Sequence, residues 1–254
     1  MKGGGTSDDD VFAVSGDNDG NLYVVGDTMS TSATFGNVAT TQIGATTEGI
    51  LWKVSKTGTT LWATRQGPTS GSTAKVSFYN VVADYTSANV YVVGRHTKPT
   101  GTPNSVNIFG TTRTGVLYND GVISKVNAQG TGLWTLFLAS RWGDIMLDVD
   151  LERSTGSEAA NVYAAGWSNA RGSELLTFGD DSVGPSSNQD KEFLIAKASA
   201  SGTAQWVVMG GGAGSDIANG IAVSGKDVCM ISYTTNDAFS SCFSEPRGVS
   251  SFIQ

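Results

Sequence analysis

The chain has 254 residues, of which 33 are glycine and 15% are charged, and its formal net charge at pH 7 is -7. Low charge and high glycine content disfavour helix surfaces and favour an all-β fold, either as one large domain or as two ordinary ones. The negative charge argues against nucleic acid as a partner, and no apolar run approaches the roughly 20 residues that span a bilayer.

The first repeat is predicted to contain four short strands. The chain starts with MKGGGTSDDD, in which we expect no export signal because it has no apolar run. VFAVSG and NLYVVGD flank a turn at DNDG, and GILWKVS and TLWATRQ flank a turn at KTG. Runs of β-branched and aromatic residues bounded by Gly, Asn, Asp and Ser are typical of strands. A long loop, residues 28–48, is predicted to join the two hairpins.

The same pattern recurs twice with its apolar and glycine positions kept. Each copy has a Tyr-x-x-Gly strand, then an apolar strand ending in Lys, then Gly and Trp: Tyr23, Gly26, Lys53, Gly58 and Trp62; Tyr91, Gly94, Lys125, Gly130 and Trp134; Tyr163, Gly166, Lys197, Gly202 and Trp206. The three Trp residues are 72 positions apart. Because they follow a fixed Gly turn, we interpret them as packing residues rather than as a ligand groove, and each Tyr as a residue that caps a core.

A fourth, weaker copy, KDVCMISYT, has Cys229 at the Tyr position and Ser232 at the Gly position. A short Phe-Gly mark lies between the two hairpins of each full copy, at Phe35, Phe109 and Phe178. One four-stranded antiparallel unit per repeat, buried by its neighbours, predicts the blades of a β-propeller. We place blade 1 at residues 1–76, blade 2 at 77–144, blade 3 at 145–216 and a partial blade 4 at 217–254.

These residues resemble the SBBP family of seven-bladed β-propeller repeats, with the resemblance covering roughly residues 6 to 254. It implies a propeller, often on secreted or surface proteins, and no particular catalytic residue. The Gly-x3-Trp ending is also similar to the tryptophan-docked blades of pyrroloquinoline quinone dehydrogenases, although the chain has no vicinal cysteines.

The positions within the repeat at which the sequence starts and stops lead to an expectation about whether it forms a complete propeller ring. MKGGGTSDDD resembles VMGGGAGSDI at 208–217, and VSSFIQ at the end occupies the place of a third strand. We therefore expect part of a larger propeller, completed by the remaining blades of a longer chain. Two copies that associate into an eight-bladed ring are the competing expectation.

Asp17, Asp19 and Asn21 are a candidate calcium turn, because alternate oxygen ligands around a glycine suit a hard cation. Asp-Gly is equally a hairpin signal, and no bidentate Glu follows. No other cofactor is expected.

Cys229 and Cys242 are predicted either to form a disulfide, which would indicate an oxidising compartment, or to be free, with Cys229 as a small core residue. With one further candidate ligand, His96, they do not make a zinc site. His96 is predicted in a surface loop, and Asp148 and Asp150 on the solvent side of a strand.

For function, we expect a non-catalytic scaffold or interaction module, extracellular or on the cell surface, that binds protein or glycan partners. The loops at about 28–48, 96–120 and 168–191 differ while the strands repeat, so they are predicted to carry recognition. The alternative is a carbohydrate-binding or quinoprotein-like propeller enzyme with a pocket at a central channel.

Overall fold

The computed structural model describes residues 2–44, 46–69, 72–97, 105–114, 118–152, 160–185, 191–212, 214–234 and 238–244. Within these ranges the regular secondary structure consists of antiparallel β-strands without a helix, so the predicted all-β class is confirmed. None of the described residues belongs to a helix long and apolar enough to span a membrane.

The first repeat forms seven strands: β1 (Gly3–Gly5), β2 (Asp9–Gly16), β3 (Leu22–Thr28), β4 (Ser32–Phe35), β5 (Val38–Thr41), β6 (Glu48–Val54) and β7 (Thr60–Pro68). Strands β2, β3, β6 and β7 pair in that order and make up what we call sheet 1. Strands β4 and β5 form a hairpin that pairs with β1 instead.

The second repeat adds β8 (Lys75–Ala83), β9 (Asn89–Thr97), β10 (Ser105–Ile108), β11 (Thr111–Thr114), β12 (Asn119–Asn127) and β13 (Gly132–Ala139). Sheet 2 has the order β8, β9, β12, β13. The β10–β11 hairpin leaves this sheet and pairs with the end of β7 in sheet 1.

The third repeat consists of β14 (Asp144–Leu151), β15 (Val162–Ser168), β16 (Leu176–Phe178), β17 (Asp181–Val183), β18 (Glu192–Ala198) and β19 (Ala204–Gly210). Sheet 3 is β14, β15, β18, β19, and the β16–β17 hairpin pairs with the end of β13. Sheet 4 contains β20 (Asp216–Ser224), β21 (Asp227–Thr234) and β22 (Ala238–Ser244).

The inserted hairpins correct the expectation of plain loops. In each of the three long connections the Phe-Gly mark lies at the hairpin turn, where Gly36, Gly110 and Gly179 have φ of 62°, 88° and 61°. A positive φ is open to glycine at little cost, which explains why this short mark recurs while its surroundings vary. The strands themselves, such as SATF and VATT, are too short and polar to stand out in the sequence.

The third strand of sheet 4 also differs from the expected position. It is formed by Ala238–Ser244 directly after β21, whereas VSSFIQ lies outside the described residues. The connection between these two strands, 235–237, is therefore much shorter in sequence than the corresponding connections of the other repeats.

The chain divides into two compact units, one of Met1–Tyr118 with Ile123–Thr135 and one of Asn119–Val122 with Leu136–Gln254. Sheet 1 and most of sheet 2 belong to the first unit, and sheets 3 and 4 belong to the second. The four predicted blade boundaries stay a prediction.

Candidate functional site

An open groove of about 530 Å³ lies in the first unit. Three connections and the end of β7 at 65–67 meet there: the loop before β6 with Ile43, the β10–β11 turn with Phe109, and the β12–β13 turn at 130–132. Two of these connections come from the loops that differ most between repeats. The groove is therefore built from variable segments held on repeated strands.

Arg65 forms the polar part of the groove wall, and its side chain is only 2% exposed. Its Nε donates a hydrogen bond to Thr40 Oγ1 at 2.9 Å, and its Nη1 donates to the Ser30 carbonyl at 2.8 Å. Nη1 also contacts Glu48 Oε2 at 3.3 Å. The charge of Arg65 is thus balanced by a buried carboxylate, as a buried guanidinium requires.

Glu48 is itself fully buried and holds the loop before β6 in place. Its Oε1 accepts hydrogen bonds from the backbone amides of Ile43 at 2.6 Å and Gly44 at 2.7 Å. Among the described residues, Arg65 Nη2 has no hydrogen-bond partner. Arg65 and Glu48 therefore form a buried, neutral ion pair that fixes this part of the groove wall.

The opposite part of the groove is fixed by Phe109. Its ring stacks on Phe78 with centroids 5.5 Å apart, and its backbone amide donates to Gln66 Oε1 at 2.6 Å. A Cβ at Gly132 would lie 2.1 Å from the Phe109 carbonyl oxygen, so only glycine allows these two turns to approach. The result is a preformed surface rather than a set of independent loops.

The candidate calcium residues lie in the β2–β3 turn. Asp17 Oδ1 accepts the backbone amides of Asp19 at 3.0 Å and Asn21 at 2.8 Å, and Lys53 Nζ lies 3.7 Å from Oδ2. Burial opposes ionisation, but hydrogen bonds from Asn21 and the Lys53 charge hold the pKa of Asp17 below its usual range. Calcium binding stays a prediction, which calorimetric titration of the wild type and Asp17→Asn tests.

The repeated Tyr, Lys and Trp come together three times. The Trp ring meets the Tyr ring edge-on at centroid distances of 6.1, 6.0 and 5.9 Å, and the Lys ammonium lies 4.7, 5.4 and 4.8 Å above the Tyr ring. Trp62 Nε1 also donates to the carbonyl of Ala128, in the β12–β13 turn of the next repeat, at 2.9 Å. This arrangement supports packing between repeats.

Glycine is needed at two positions of each repeat for two different reasons. Gly26, Gly94 and Gly166 face a β-bulge in the first strand, where a Cβ would lie 1.9 to 2.0 Å from a carbonyl oxygen. The second set, Gly58, Gly130 and Gly202, has φ of 83°, 86° and 85° in the turn before the last strand.

Cys229 and Cys242 face each other across β21 and β22, and their sulfurs are bonded. Intact mass after alkylation without a reductant remains the direct measurement of this pair.

Two expectations about polar residues were wrong. His96 is buried within β9 rather than in a surface loop. Asp148 and Asp150 do not face solvent: each accepts a backbone amide of β20, from Ile221 and Val223, at 2.7 Å. The alternation separates Asp148 and Asp150 from Val149, but the bulge after Met146 shifts Ile145 to the face of the two acids, and β20 covers that face.

The sequence interpretation also missed two sets of repeated acids. Glu48, Asp120 and Glu192 are buried near the start of the third strand and are 72 positions apart, the same interval as the Trp series. The shared 72-residue interval is the signal in the sequence that could have identified these acids.

A second set opens the first strand of three repeats. Asp9, Asp144 and Asp216 accept the backbone amide of the residue four positions earlier at 2.7, 2.6 and 2.8 Å. They tie the connection between repeats to the next strand.

Within this second set, the pKa values of Asp9 and Asp144 shift in opposite directions although both carboxylates accept the same kind of backbone hydrogen bond. Hydrogen bonds and the positive charge of Arg65 lower the pKa of Asp9 against its partial burial. Deep burial raises the pKa of Asp144 to about 7, and the nearby carboxyl of Asp120 adds to the rise. No group of three His, Cys, Asp or Glu in the described ranges is arranged to hold a metal ion.

A scan against protein families finds no match to this sequence, and a search of curated proteins finds none. The resemblance to SBBP repeats stays a prediction.

Proposed function

We propose that the chain is a non-catalytic β-propeller interaction module that binds a protein partner through the groove around Arg65. The propeller assignment is supported by sheets 1, 2 and 3, each with four antiparallel strands in the same order, and by a fourth sheet of three strands. It is also supported by the β10–β11 and β16–β17 hairpins, because each pairs with the last strand of the preceding repeat, and repeats in such arrays contact their neighbours.

The observation that carries the proposed binding function is the composition of the groove. Its walls come from the two variable connections that contain Ile43 and Phe109, while Arg65 and Gln66 on β7 hold them in place. Rigid frames commonly place recognition on connecting segments of this kind. Because Glu48 balances the charge of Arg65, this part of the groove wall has no net charge, which disfavours a highly charged ligand.

We place this module outside the cell or on its surface. The bonded Cys229 and Cys242 support an oxidising compartment.

The experiment is selection of displayed random peptides on the wild type, followed by binding to two variants. Thr131→Trp puts a large ring at the groove, where Thr131 is exposed and its amide donates to Asn127 Oδ1 at 2.9 Å. Thr203→Trp is the matched control, because Thr203 has the equivalent place in the third repeat and its amide donates to Ser199 Oγ at 3.0 Å.

Peptides that bind the wild type and Thr203→Trp but not Thr131→Trp support the proposal. Peptides that bind all three proteins equally overturn it, as does a selection that enriches no peptide for the wild type over Thr131→Trp. A glycan array in which Thr131→Trp alone loses binding would replace it with the carbohydrate-binding alternative.

A further inference from the structure

Sheets 1 and 2, and likewise sheets 3 and 4, pack through two kinds of face. We call the face that carries the repeated Tyr of the second strand the forward face, and the opposite one the backward face. In the second unit, Tyr163 and Ala165 on the forward face of sheet 3 share a core with Ala218, Ile221 and Val228 on the backward face of sheet 4.

The first unit repeats this contact between sheets 1 and 2. Ser15 Oγ, on the forward face of sheet 1, accepts the backbone amide of Ala83 in sheet 2 at 3.1 Å. Gly49 on the same face lies against Phe78, whose ring would be 2.8 Å from an added Cβ. A forward face is therefore covered by the backward face of the following sheet in both units.

Two large apolar side chains on the forward face of sheet 4 are exposed. Because side chains alternate along a strand, burial of Val228 and Met230 against sheet 3 turns Ile231 and Tyr233 to the forward face. Ile231 has the register position of Ala165, relative to the bulge of its sheet. Ile231 is 64% exposed and Tyr233 is 54% exposed, whereas Ala165 is fully buried.

The backward face of sheet 1 is exposed on β2 and β3, whereas Ile50 and Trp52 on β6 are buried with Phe35 of the β4–β5 hairpin. By register, Val11, Val14 and Leu22 correspond to Ala218, Ile221 and Val228 of sheet 4. The residues of sheet 4 are 0%, 8% and 0% exposed, and those of sheet 1 are 61%, 59% and 43% exposed.

We infer that these two faces join in solution, so that the forward face of sheet 4 in one copy packs on the backward face of sheet 1 in a second copy. The occupant is another copy because one chain carries both halves of a contact that it already makes within each unit. Exposed apolar patches of this kind mark association surfaces. A contact between two different surfaces is head-to-tail, and it either closes into a ring or extends.

The test is the mass of the intact chain by light scattering and sedimentation across a range of protein concentration. The wild type is expected to form multiples of the 26.3 kDa chain. Val14→Glu and Ile231→Glu, which place a charge on the backward and forward face, are each expected to remain monomeric. Leu175→Glu, at a site 54% exposed outside both faces, is expected to behave as the wild type.

Mixing the two monomeric variants separates loss of the contact from loss of folding. Val14→Glu keeps an intact forward face and Ile231→Glu an intact backward face, so an equal mixture is expected to form a species of two copies and nothing larger. A wild type that stays monomeric overturns the inference. Either variant assembling alone, or a mixture that stays monomeric, overturns it as well.

Discussion

Replacing Asp144 by asparagine tests whether the protein holds a neutral acid at the start of β14. The Asp144 side chain is fully buried, accepts the Ser140 amide at 2.6 Å, and is bonded by the hydroxyls of Ser140 and Ser168. An asparagine can keep these contacts, because its oxygen accepts from the Ser140 amide while its NH2 donates to the hydroxyls. The substitution therefore removes the titration and leaves the packing.

The direction and the magnitude of the expected change in stability follow from the pKa of Asp144. Burial raises the pKa of Asp144 from 3.8 to about 7, so the folded state holds this proton more tightly than the unfolded state. Its contribution to stability is complete below about pH 4 and is lost as the pH rises through about 7. At about 1.4 kcal/mol for each tenfold change in proton affinity, the loss approaches about 4 kcal/mol, or on the order of 10 °C in melting temperature.

The assay is calorimetric melting of wild type and Asp144→Asn between pH 4 and 8. The free energy of unfolding of the variant minus that of the wild type should increase steadily with pH over this range. Asp9→Asn is the matched control: the pKa of Asp9 is lowered, so the wild type should lose stability relative to that variant only below about pH 4. A difference for Asp144→Asn that is flat or decreases from pH 4 to 8 would refute the reasoning.

Three further predictions concern packing and covalent structure. Gly166→Ala places a Cβ 1.9 Å from a carbonyl oxygen of β14 and should destabilise the protein by about 3 kcal/mol in chemical unfolding, while Gly212→Ala, with open space around it, should change little. Asp148→Ala leaves a backbone amide of β20 without its acceptor and should cost about 1–3 kcal/mol, with faster amide exchange in β20 than in β3. Reduction of the Cys229–Cys242 bond, which closes a short loop, should lower stability by about 3 kcal/mol, and an unchanged melting temperature would contradict this.

The strands of each repeat could be predicted because their causes are local. Lys53, Gly58 and Trp62 recur at fixed spacing because the turn needs a residue with positive φ at Gly58 and because Trp62 must lie within contact distance of the Tyr ring. The inserted hairpins could not be predicted in the same way. Their short strands gain stability from pairing with a strand that is distant in sequence, as Val106 and Asn107 do with Pro68 and Gly67, and such pairing leaves no mark in the local pattern.

The candidate site was predictable only in outline. The variable connections were expected to carry recognition, and two of them line the groove. Arg65 and Glu48 were not selected from the sequence, although Glu48 lies on the 72-residue interval of the repeat. Arg65 lies on β7 and Glu48 at the start of β6, so the two side chains meet only when the sheet has folded.

The sequence by itself determined the all-β class and the recurrence of four strands per repeat, because periodicity, turn residues and glycine positions act over a few residues. Only the tertiary structure decided which faces are covered. Val14 and Ile221 hold the same position in two repeats, yet one is exposed and the other buried, because burial depends on whether another sheet lies against that face. The same physical reason turns Asp148 from an expected surface acid into an acceptor for the backbone of β20.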